Sequence, residues 1–370
     1  MSAIRTSGKY RVVVVGMGKR GMHHAQAFHA NGRFEVAGVC DIDPARLDAA
    51  AAKFGAAKGT DALQVASAVK PDVFCFCTLP NLRSEMIRAG IKSGARLIAF
   101  EKPVALNTRE GFEVRKLLAE SGVKAVVSHQ HRYGEHYRKV KEIVASGALG
   151  RVHTVYGTAS GWMTHMLSHL IDYMRWFNEP LNNEPSNNNE SPAQWVMAQA
   201  AGRVKLADLH PSPDYIGGFI QFANGVRGIV ECGAGAPDVP EVDYWWRKCR
   251  IGAQGTDGFA EVLTGGGWRA VTKAGASSGG GCMNYDLDMP PYIQEMADWL
   301  DDDRKVHSCN FASAYAGFEI AMALCRSAAN GGQVALPLAD TADEIELLQA
   351  HLVDRKVLLS SPVNAKEYGQ

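Results

Sequence analysis

Four consecutive valines near the start of the chain, followed by regularly spaced glycines, constrain the fold more than any other feature. Residues 11–21 read RVVVVGMGKRG, and the valines predict a buried strand of a parallel sheet. Gly16 supplies a tight turn, Gly18 lets the backbone approach a pyrophosphate, and Gly21 lets the next helix pack closely on the strand. The segment therefore predicts the strand, turn and helix of a nucleotide-binding fold.

The residues that follow complete this pattern. A helix is predicted at about residues 19–30, with its first N–H groups directed at the phosphates of a ligand. A strand at 34–40 ends at Asp41, twenty residues after Gly21, where a carboxylate that binds a ribose is expected. GxGxxG alone is weak evidence, but the complete series predicts a dinucleotide. Asp41 would repel a 2′-phosphate, so NAD is expected rather than NADP, and the nearby Arg46 keeps NADP as the less favoured alternative.

Composition limits the possible partners of the chain. Its 370 residues are enough for two domains, and 46% hydrophobic with 21% charged residues is typical of a globular protein. The 39 basic and 39 acidic residues cancel, so neither nucleic acid nor an anionic membrane is an expected partner. The eight cysteines include no Cys-x-x-Cys pair and are expected to be reduced. With no apolar leader near the start, a cytoplasmic location is expected.

Strands and helices alternate in the first third of the chain. The predicted strands cover residues 11–16, 34–40, 72–78, 96–100 and 124–128. Helical patterns lie between them, near 19–30, 44–53, 61–69, 81–93 and 107–121. This order predicts an α/β domain, a doubly wound parallel (Rossmann) sheet over residues 1–128, whose ligand lies beyond the carboxyl ends of the strands. Thr78, Pro80 and Asn81 follow one strand and are expected to border the cofactor.

The pattern changes after a predicted helix at 133–145. Strands now follow one another at residues 152–158, 195–200, 218–223, 226–232, 250–253 and 259–263, interrupted by a helix at about 164–177. Asn224-Gly225 predicts a hairpin turn, residues 178–192 and 274–282 read as surface loops, and helices are expected at 290–301, 311–329 and 341–353. Residues 129–370 are therefore predicted to form an α+β domain with an open, mostly antiparallel sheet.

Lys102 is the first candidate for chemistry. It follows a predicted strand, at the edge where a nicotinamide is expected, and Pro103 stiffens the chain behind it. A lysine shielded from water beside a positive ring loses stability as an ammonium, which suits proton exchange with a reacting hydroxyl. An exposed lysine at a strand end is the alternative. Glu101 is interpreted as its partner or as a solvated carboxylate, and is included among the cofactor-binding candidates.

A histidine-rich helix is the second candidate. His165, His169, Asp172 and Trp176 lie at helical spacing and share one face. Histidine is the usual general base near neutral pH, and Asp172 is interpreted either as orienting its ring or as a structural carboxylate. His-x-x-x-His also has zinc-ligand spacing, but the glutamate of His-Glu-x-x-His and a third ligand are missing from the pattern, so no metal is expected.

The ordered set of motifs resembles the glucose-fructose oxidoreductase / inositol dehydrogenase family (Gfo/Idh/MocA) along nearly the full chain. Glu101-Lys102-Pro103 after the fourth predicted strand is its most specific part. The other motifs are Gly16-x-Gly18-x-x-Gly21, Thr78-x-Pro80-Asn81, Gln130-x-Arg132, Ser146-Gly-x-Leu-Gly150, His169-x-x-Asp172 with Arg175-Trp176, and Asn224-Gly225. The resemblance implies a Rossmann domain followed by an α/β domain whose open sheet often forms an oligomer interface, and hence a homo-oligomer, dimer or tetramer.

The resemblance also implies an activity and residue roles. Members mostly oxidise or reduce one carbinol of a sugar, inositol or similar polyol that binds between the domains, against the nicotinamide. Lys102 would polarise the reacting oxygen and touch the cofactor, and His169 would be the acid/base. The expected substrate-binding residues are His165, Asp172, Trp162 and Arg132.

One departure from the family changes the expectations for the substrate. The family has an aspartate four residues before the histidine, where this chain has His165, and Trp162 stands in the approach to the helix. An NAD-dependent sugar or polyol dehydrogenase is the leading interpretation. The alternatives are a glycoside hydrolase that uses NAD for transient oxidation and elimination, and an NAD-binding sensor without catalysis.

Overall fold

A computed structural model describes residues 8–179, 191–203, 205–244 and 247–353 of the chain, and these form two units that interleave in sequence. The first unit takes the residues up to 101, then 113–130 and 285–311. The second takes 102–112, 131–284 and the residues from 312 onward. The sequence-based division into two contiguous domains, residues 1–128 and 129–370, stays a prediction.

The first unit is built on a six-stranded sheet in the order β3-β2-β1-β4-β5-β6. All its pairs are parallel, which confirms the predicted doubly wound sheet. Val12–Val15 are almost completely buried, as expected for a strand covered on both faces. The strands are β1 (Tyr10–Val15), β2 (Phe34–Cys40), β3 (Ala57–Gly59), β4 (Val73–Phe76), β5 (Leu97–Phe100) and β6 (Lys124–Val127).

Helices connect these strands at the predicted places. They are α1 (Lys19–Ala30), α2 (Pro44–Phe54), α3 (Ala62–Val69), α4 (Arg83–Lys92) and α5 (Thr108–Ser121). The Asp43 carboxylate caps α2 by accepting from two backbone N–H groups, and Asp61 caps α3. At the start of α1 the N-cap residue is Gly18, and no side chain caps that end. The amino end of α1 thus differs from those of its neighbours.

The second unit contains a nine-stranded sheet in the order β14-β13-β12-β11-β7-β10-β9-β8-β15. Its described pairs are antiparallel except β7 with β10, which run parallel, so the predicted open, mostly antiparallel sheet is confirmed. The strands are β7 (Val152–Ala159), β8 (Ala193–Ala201), β9 (Tyr215–Phe222), β10 (Arg227–Gly233), β11 (Cys249–Gly255), β12 (Gly258–Leu263), β13 (Gly267–Thr272), β14 (Gly275–Gly279) and β15 (Val334–Ala335).

The loop prediction at residues 274–282 is wrong over its first half. Gly275–Gly279 form the edge strand β14, which pairs with β13 through its backbone. Its residues are mostly exposed, so the strand has no apolar alternation that a sequence pattern could detect. The hairpin at Asn224-Gly225 is confirmed between β9 and β10. Most of the other predicted loop, residues 180–190, lies outside the described residues.

Helix α7 (Met163–Asn178) is the central helix of the second unit. The preceding helix in the chain is α6 (Glu135–Ala145). Helix α7 packs on β7, β10 and β11. Two glycines of the sheet let it lie close. A Cβ atom on Gly157 would come 3.0 Å from the Met174 sulfur, and one on Gly228 would come 3.2 Å from the Met174 methyl carbon. Twelve of the sixteen residues of α7 are buried as a result.

Three further helices complete the described chain. They are α8 (Tyr285–Asp301), which belongs to the first unit and packs on α1, α9 (Phe311–Asn330) and α10 (Glu344–His351). Among the helices of the described ranges, none has the length and apolar character needed to span a bilayer.

Gly21→Ala is expected to destabilise the first unit by at least about 3 kcal/mol, because a Cβ atom there would lie 1.7 Å from the backbone oxygen of Gly16. Gly18→Ala is the matched control, since its nearest neighbour would be a flexible side-chain nitrogen at 3.8 Å. Denaturant unfolding of both variants measures the difference. Equal stabilities would contradict the close helix-to-strand contact at Gly21.

Candidate functional site

The turn between β1 and α1 contains three glycines. The packing of the fold leaves no room for a side chain at two of them, but it leaves room at the third. Gly16 has φ +82°, and a Cβ atom on it would lie 2.7 Å from the Cys77 carbonyl oxygen. A Cβ atom on Gly21 would lie even closer to a backbone oxygen, 1.7 Å from that of Gly16. Over Gly18, by contrast, only Arg46 Nη1 comes within 4 Å of such an atom in the described structure. The space above Gly18 is therefore open to a ligand at the amino end of α1.

Asp41 lies where the sequence predicts a ribose-binding carboxylate. It is buried at the carboxyl end of β2, where Oδ2 accepts from the Met17 N–H and Oδ1 accepts from the Asp43 N–H at 2.8 Å. The carboxylate thus ties the glycine turn to the end of β2. Arg46 is exposed on α2, and its Nε lies 3.6 Å from the Asp43 carboxylate.

Glu101 is not a solvated carboxylate; this alternative from the sequence is wrong. Its Oε1 accepts from Arg20 Nε at 2.9 Å and Nη2 at 2.7 Å, and lies 3.1 Å from His24 Nε2. Burial opposes protonation of His24, but the Cys75 thiol and the Glu101 carboxylate outweigh it and raise the pKa of His24 to about 9. Glu101 is therefore a buried anion that anchors α1 to the end of β5.

These residues also form the one metal-like cluster of the described ranges. Ligand atoms of His24, Cys77 and Glu101 lie within 4.8 Å of one another, and the His165/His169 pair belongs to no such group there. The Arg20 guanidinium bonds the same Glu101 oxygen that a cation would need. Its positive charge opposes a metal ion at this place, so the cluster is better described as an ion-pair network.

The segment after β4 carries the other predicted cofactor residues. Pro80 is buried and opens a 3₁₀ turn, Pro80–Leu82, in which Asn81 is exposed. The carbonyl of Thr78 accepts from Arg83 Nη1 at 3.2 Å. The Thr78 hydroxyl is buried and has no hydrogen-bond partner among the described residues. A buried hydroxyl at the carboxyl end of a parallel strand fits a bound ligand that would supply the missing partner.

In the second unit, two predicted site residues meet. Lys102 precedes a cis proline, Pro103, and its Nζ donates to the backbone oxygen of His165 at 3.0 Å. His165 lies in the first turn of α7. The contact holds the half-buried Lys102 ammonium at the amino end of the histidine-rich helix.

Asp172 and Arg132 form a buried ion pair. Arg132 Nε donates to Oδ2 at 2.7 Å and Nη2 donates to Oδ1 at 2.9 Å, with the side chains only 5% and 3% exposed. Arg132 comes from a 3₁₀ turn, Gln130–Tyr133, and its guanidinium also lies near the Trp176 ring. Both Asp172 oxygens are thus used by Arg132, which supports the structural interpretation of this carboxylate.

The His169 ring is held by a tyrosine one helical turn further on. Its Nδ1 lies 3.1 Å from the Tyr173 hydroxyl, and His131 packs beside it with ring centroids 5.5 Å apart. Tyr137 stacks edge-on against Tyr173 and shares a hydrogen bond with the Thr264 hydroxyl. His169 is therefore buried in an aromatic and polar setting that restricts rotation of its ring. Helix spacing alone could have indicated Tyr173 as the residue four positions on.

His165 is a neutral imidazole in this structure. Burial lowers its pKa to about 3, with the positive charges of Lys102 and His210 adding to the effect. Its ring stacks on His210 with centroids 4.5 Å apart, and its buried Nδ1 has no hydrogen-bond partner within the described ranges. The ring can exchange one hydrogen bond with a ligand without changing its charge.

The loop between β8 and β9, residues 202–214 without residue 204, contributes three contacts that the sequence reasoning missed. His210 stacks on His165, Lys205 Nζ lies 4.7 Å from the Trp162 ring centroid, and the Ser212 hydroxyl accepts from the Met163 N–H at 2.9 Å. We call this segment the β8–β9 loop. It covers the amino end of α7, yet carries no motif or periodicity that could have identified it.

The first third of the chain matches a family of known enzymes. Residues 10–129 match the family model described as "Oxidoreductase family, NAD-binding Rossmann fold". Over these residues the chain belongs to the Gfo/Idh/MocA family. It is an NAD-binding oxidoreductase by this membership, and the predictions of the family and of NAD as the cofactor are confirmed.

One relative of this chain is inositol 2-dehydrogenase of Rhizobium meliloti. The two are 27% identical over 237 residues, which cover 60% of this chain and 67% of that protein. The rhizopine catabolism protein MocA of the same species is 24% identical over 269 residues, 69% and 78% of the two chains. Levoglucosan dehydrogenase, solved with NADH, has the same fold, with a TM-score of 0.73 at 18% identity over 89% of this chain and 100% of that one.

Asp172→Asn is expected to destabilise this protein by about 3–5 kcal/mol, because it removes the close carboxylate partner of the buried Arg132 guanidinium and leaves only the longer contact to Glu179, at 3.7 Å. The double variant Arg132→Met/Asp172→Leu removes both charges. It should lower the stability of the protein less than Asp172→Asn does. Thermal unfolding of the three proteins checks the order. A single variant as stable as the parent chain would contradict the ion pair.

The neutral state of His165 predicts a pH dependence of stability. Its pKa is about 3 when folded and 6.5 when exposed, so the unfolded chain binds more protons between these values. The contribution of His165 to stability therefore rises with pH across this window and is constant above it. His165→Gln should flatten the rise, measured as unfolding free energy at about pH 5 and about pH 8. An unchanged slope would contradict a neutral His165.

Proposed function

We propose that the protein is an NAD-dependent dehydrogenase that transfers a hydride between nicotinamide and a carbinol carbon of a sugar, inositol or related polyol. The observation that carries the proposal is the bond from Lys102 Nζ to the His165 carbonyl. It fixes an ammonium at the amino end of the helix that carries His169 one turn further on. The inositol 2-dehydrogenases among the relatives support the substrate class.

The residues of the first unit fit the cofactor. The open space over Gly18 suits a pyrophosphate, and the orphaned Thr78 hydroxyl suits a ligand at the end of β4. Asp41 would accept from the ribose hydroxyls while its charge opposes a 2′-phosphate, which favours NAD. Arg46 beside Gly18 is the counter-argument, and a relative from Bacillus subtilis, scyllo-inositol 2-dehydrogenase (NADP(+)), is 26% identical over 176 residues.

When bound, NAD supplies the hydride acceptor; the chain supplies charge and proton transfer. Lys102 donates one N–H to the His165 carbonyl, and in this proposal its ammonium also donates to the reacting oxygen. This hydrogen bond stabilises the negative charge that develops on that oxygen as hydride leaves. His169 takes the hydroxyl proton, with its ring held in place by Tyr173. Asp172 and Arg132 act as positioning residues for α7.

The two alternative functions receive less support. A hydrolase that eliminates a glycosidic leaving group needs a second acid, and burial, which lowers the pKa of His165 to about 3, keeps this ring out of the acidic imidazolium form at neutral pH. A sensor without catalysis does not need Lys102 and His169 in restrained positions, yet both have defined hydrogen-bond partners. A homo-oligomer stays a prediction.

The proposal is tested by mixing the purified protein with NAD or NADP and a panel of sugars, inositols and sugar acids, following reduced-nicotinamide absorbance. Turnover is expected with NAD. Lys102→Ala and His169→Ala should each lower kcat by about 10²–10⁴-fold, since they remove charge stabilisation and proton transfer, while NAD affinity is retained. Lys116→Ala, on the exposed face of α5, is the matched control and should keep full activity.

Two results would contradict this function. One is bound NAD without turnover of any member of the panel, and the other is full activity of Lys102→Ala. Glycosidase activity without net NADH would instead support the hydrolase.

A further inference from the structure

The amino end of α7 collects basic and aromatic side chains from three parts of the second unit. Lys102 bonds to the helix, Lys205 lies over Trp162, and His210 stacks on His165. The helix dipole adds a partial positive charge at the same end. A surface of this composition attracts an anion and repels a cation.

We propose that the substrate is a polyol that carries a carboxylate, and that Lys205 and His210 of the β8–β9 loop bind this carboxylate. The inference rests on the proposed dehydrogenase function and narrows its substrate class to sugar acids and similar hydroxy acids. Lys205 and His210 are specificity residues in it, while Lys102 keeps its role at the reacting oxygen.

Lys205 is held in place but retains binding capacity. Its ammonium lies 4.7 Å from the Trp162 ring centroid, a cation–π contact that fixes its position. Its carboxylate partner Asp208 is 3.2 Å away, and both side chains are substantially exposed, 32% and 46%. An ion pair of this exposure contributes little to stability. An ammonium has three donors, so it can bind a ligand carboxylate as well.

The stacked imidazoles suit the same ligand. His165 is neutral, so the stack avoids the repulsion of two imidazolium rings 4.5 Å apart. A carboxylate beside His210 would accept a hydrogen bond from an N–H of its ring. His165 Nδ1, buried without a partner among the described residues, would then exchange a hydrogen bond with a neighbouring hydroxyl. In this arrangement His210 would bind the carboxylate of the ligand, and His165 would bind one of its hydroxyls.

Trp162 completes the match to a ring-shaped acid. Its indole is half-buried at the N-cap position of α7, with a face occupied by Lys205 and an edge near His165. An aromatic surface packs against the C–H face of a sugar. A sugar acid therefore offers groups for each part of this surface: a carboxylate, hydroxyls and an apolar face.

The test uses matched substrate pairs with saturating NAD: glucuronate against glucose, galacturonate against galactose, and glucose 6-phosphate as a second anion. The acids are expected to have at least a tenfold higher kcat/KM than their neutral partners, since only the acids offer a carboxylate for charge-assisted hydrogen bonds. Lys205→Gln should lower kcat/KM about tenfold more for the acids than for the neutral sugars, mostly through KM. Lys139→Gln, exposed on α6, is the matched control.

Equal turnover of acids and neutral sugars, a preference for the phosphate, or an equal effect of Lys205→Gln on both members of a pair would overturn the inference and leave the dehydrogenase intact. If no sugar reduces NAD, the proposed function fails. Ligand-observed NMR of glucuronate and glucose with the NAD-loaded protein then decides separately: selective binding of glucuronate, lost in Lys205→Gln, supports the anion site, and its absence overturns it.

Discussion

The buried ion pair between Arg132 and Asp172 is the interaction on which the second unit depends. It joins the 3₁₀ turn that opens this part of the chain to the middle of α7, with both charges almost completely removed from water. Such a pair contributes little net stability, but it penalises any arrangement in which either charge loses its partner. It thereby specifies one position of α7 along its axis, and with it the positions of His165 and His169.

The first unit uses the same principle in a different place. Glu101 directly follows β5 and binds Arg20 and His24, which lie on successive turns of α1. The helix that begins at the open glycine turn is therefore held by charge at its first turns and by close packing at Gly21. In each unit a carboxylate that belongs to a conspicuous motif, Glu101 or Asp172, thus pairs with buried cations and serves the scaffold.

The fold could be predicted from the sequence wherever burial leaves a periodic pattern. The sequence patterns place the strands covered on both faces and the amphipathic helices of the first unit correctly, but they miss the three-residue β3, the partly buried β13 and the exposed β14. Motifs supply the candidate site residues Lys102 and His169, and their roles stay a prediction. Helical spacing places both Asp172 and Tyr173 near His169, and only side-chain geometry shows that Tyr173 contacts the ring. Lys205 and His210 lie in an irregular loop, beyond the reach of periodicity.

The two glycines beneath α7 give the sheet an indirect influence on the helix above it. Gly157 and Gly228 face Met174, and the missing Cβ atoms set the height at which α7 rests on β7 and β10. A larger residue at either position would require the Met174 side chain to give way by a few tenths of an ångström, and the packing of α7 on the sheet would have to adjust. Positions far from any ligand can thus adjust the reach of the histidines, and divergence among related enzymes need not be confined to residues that touch the substrate.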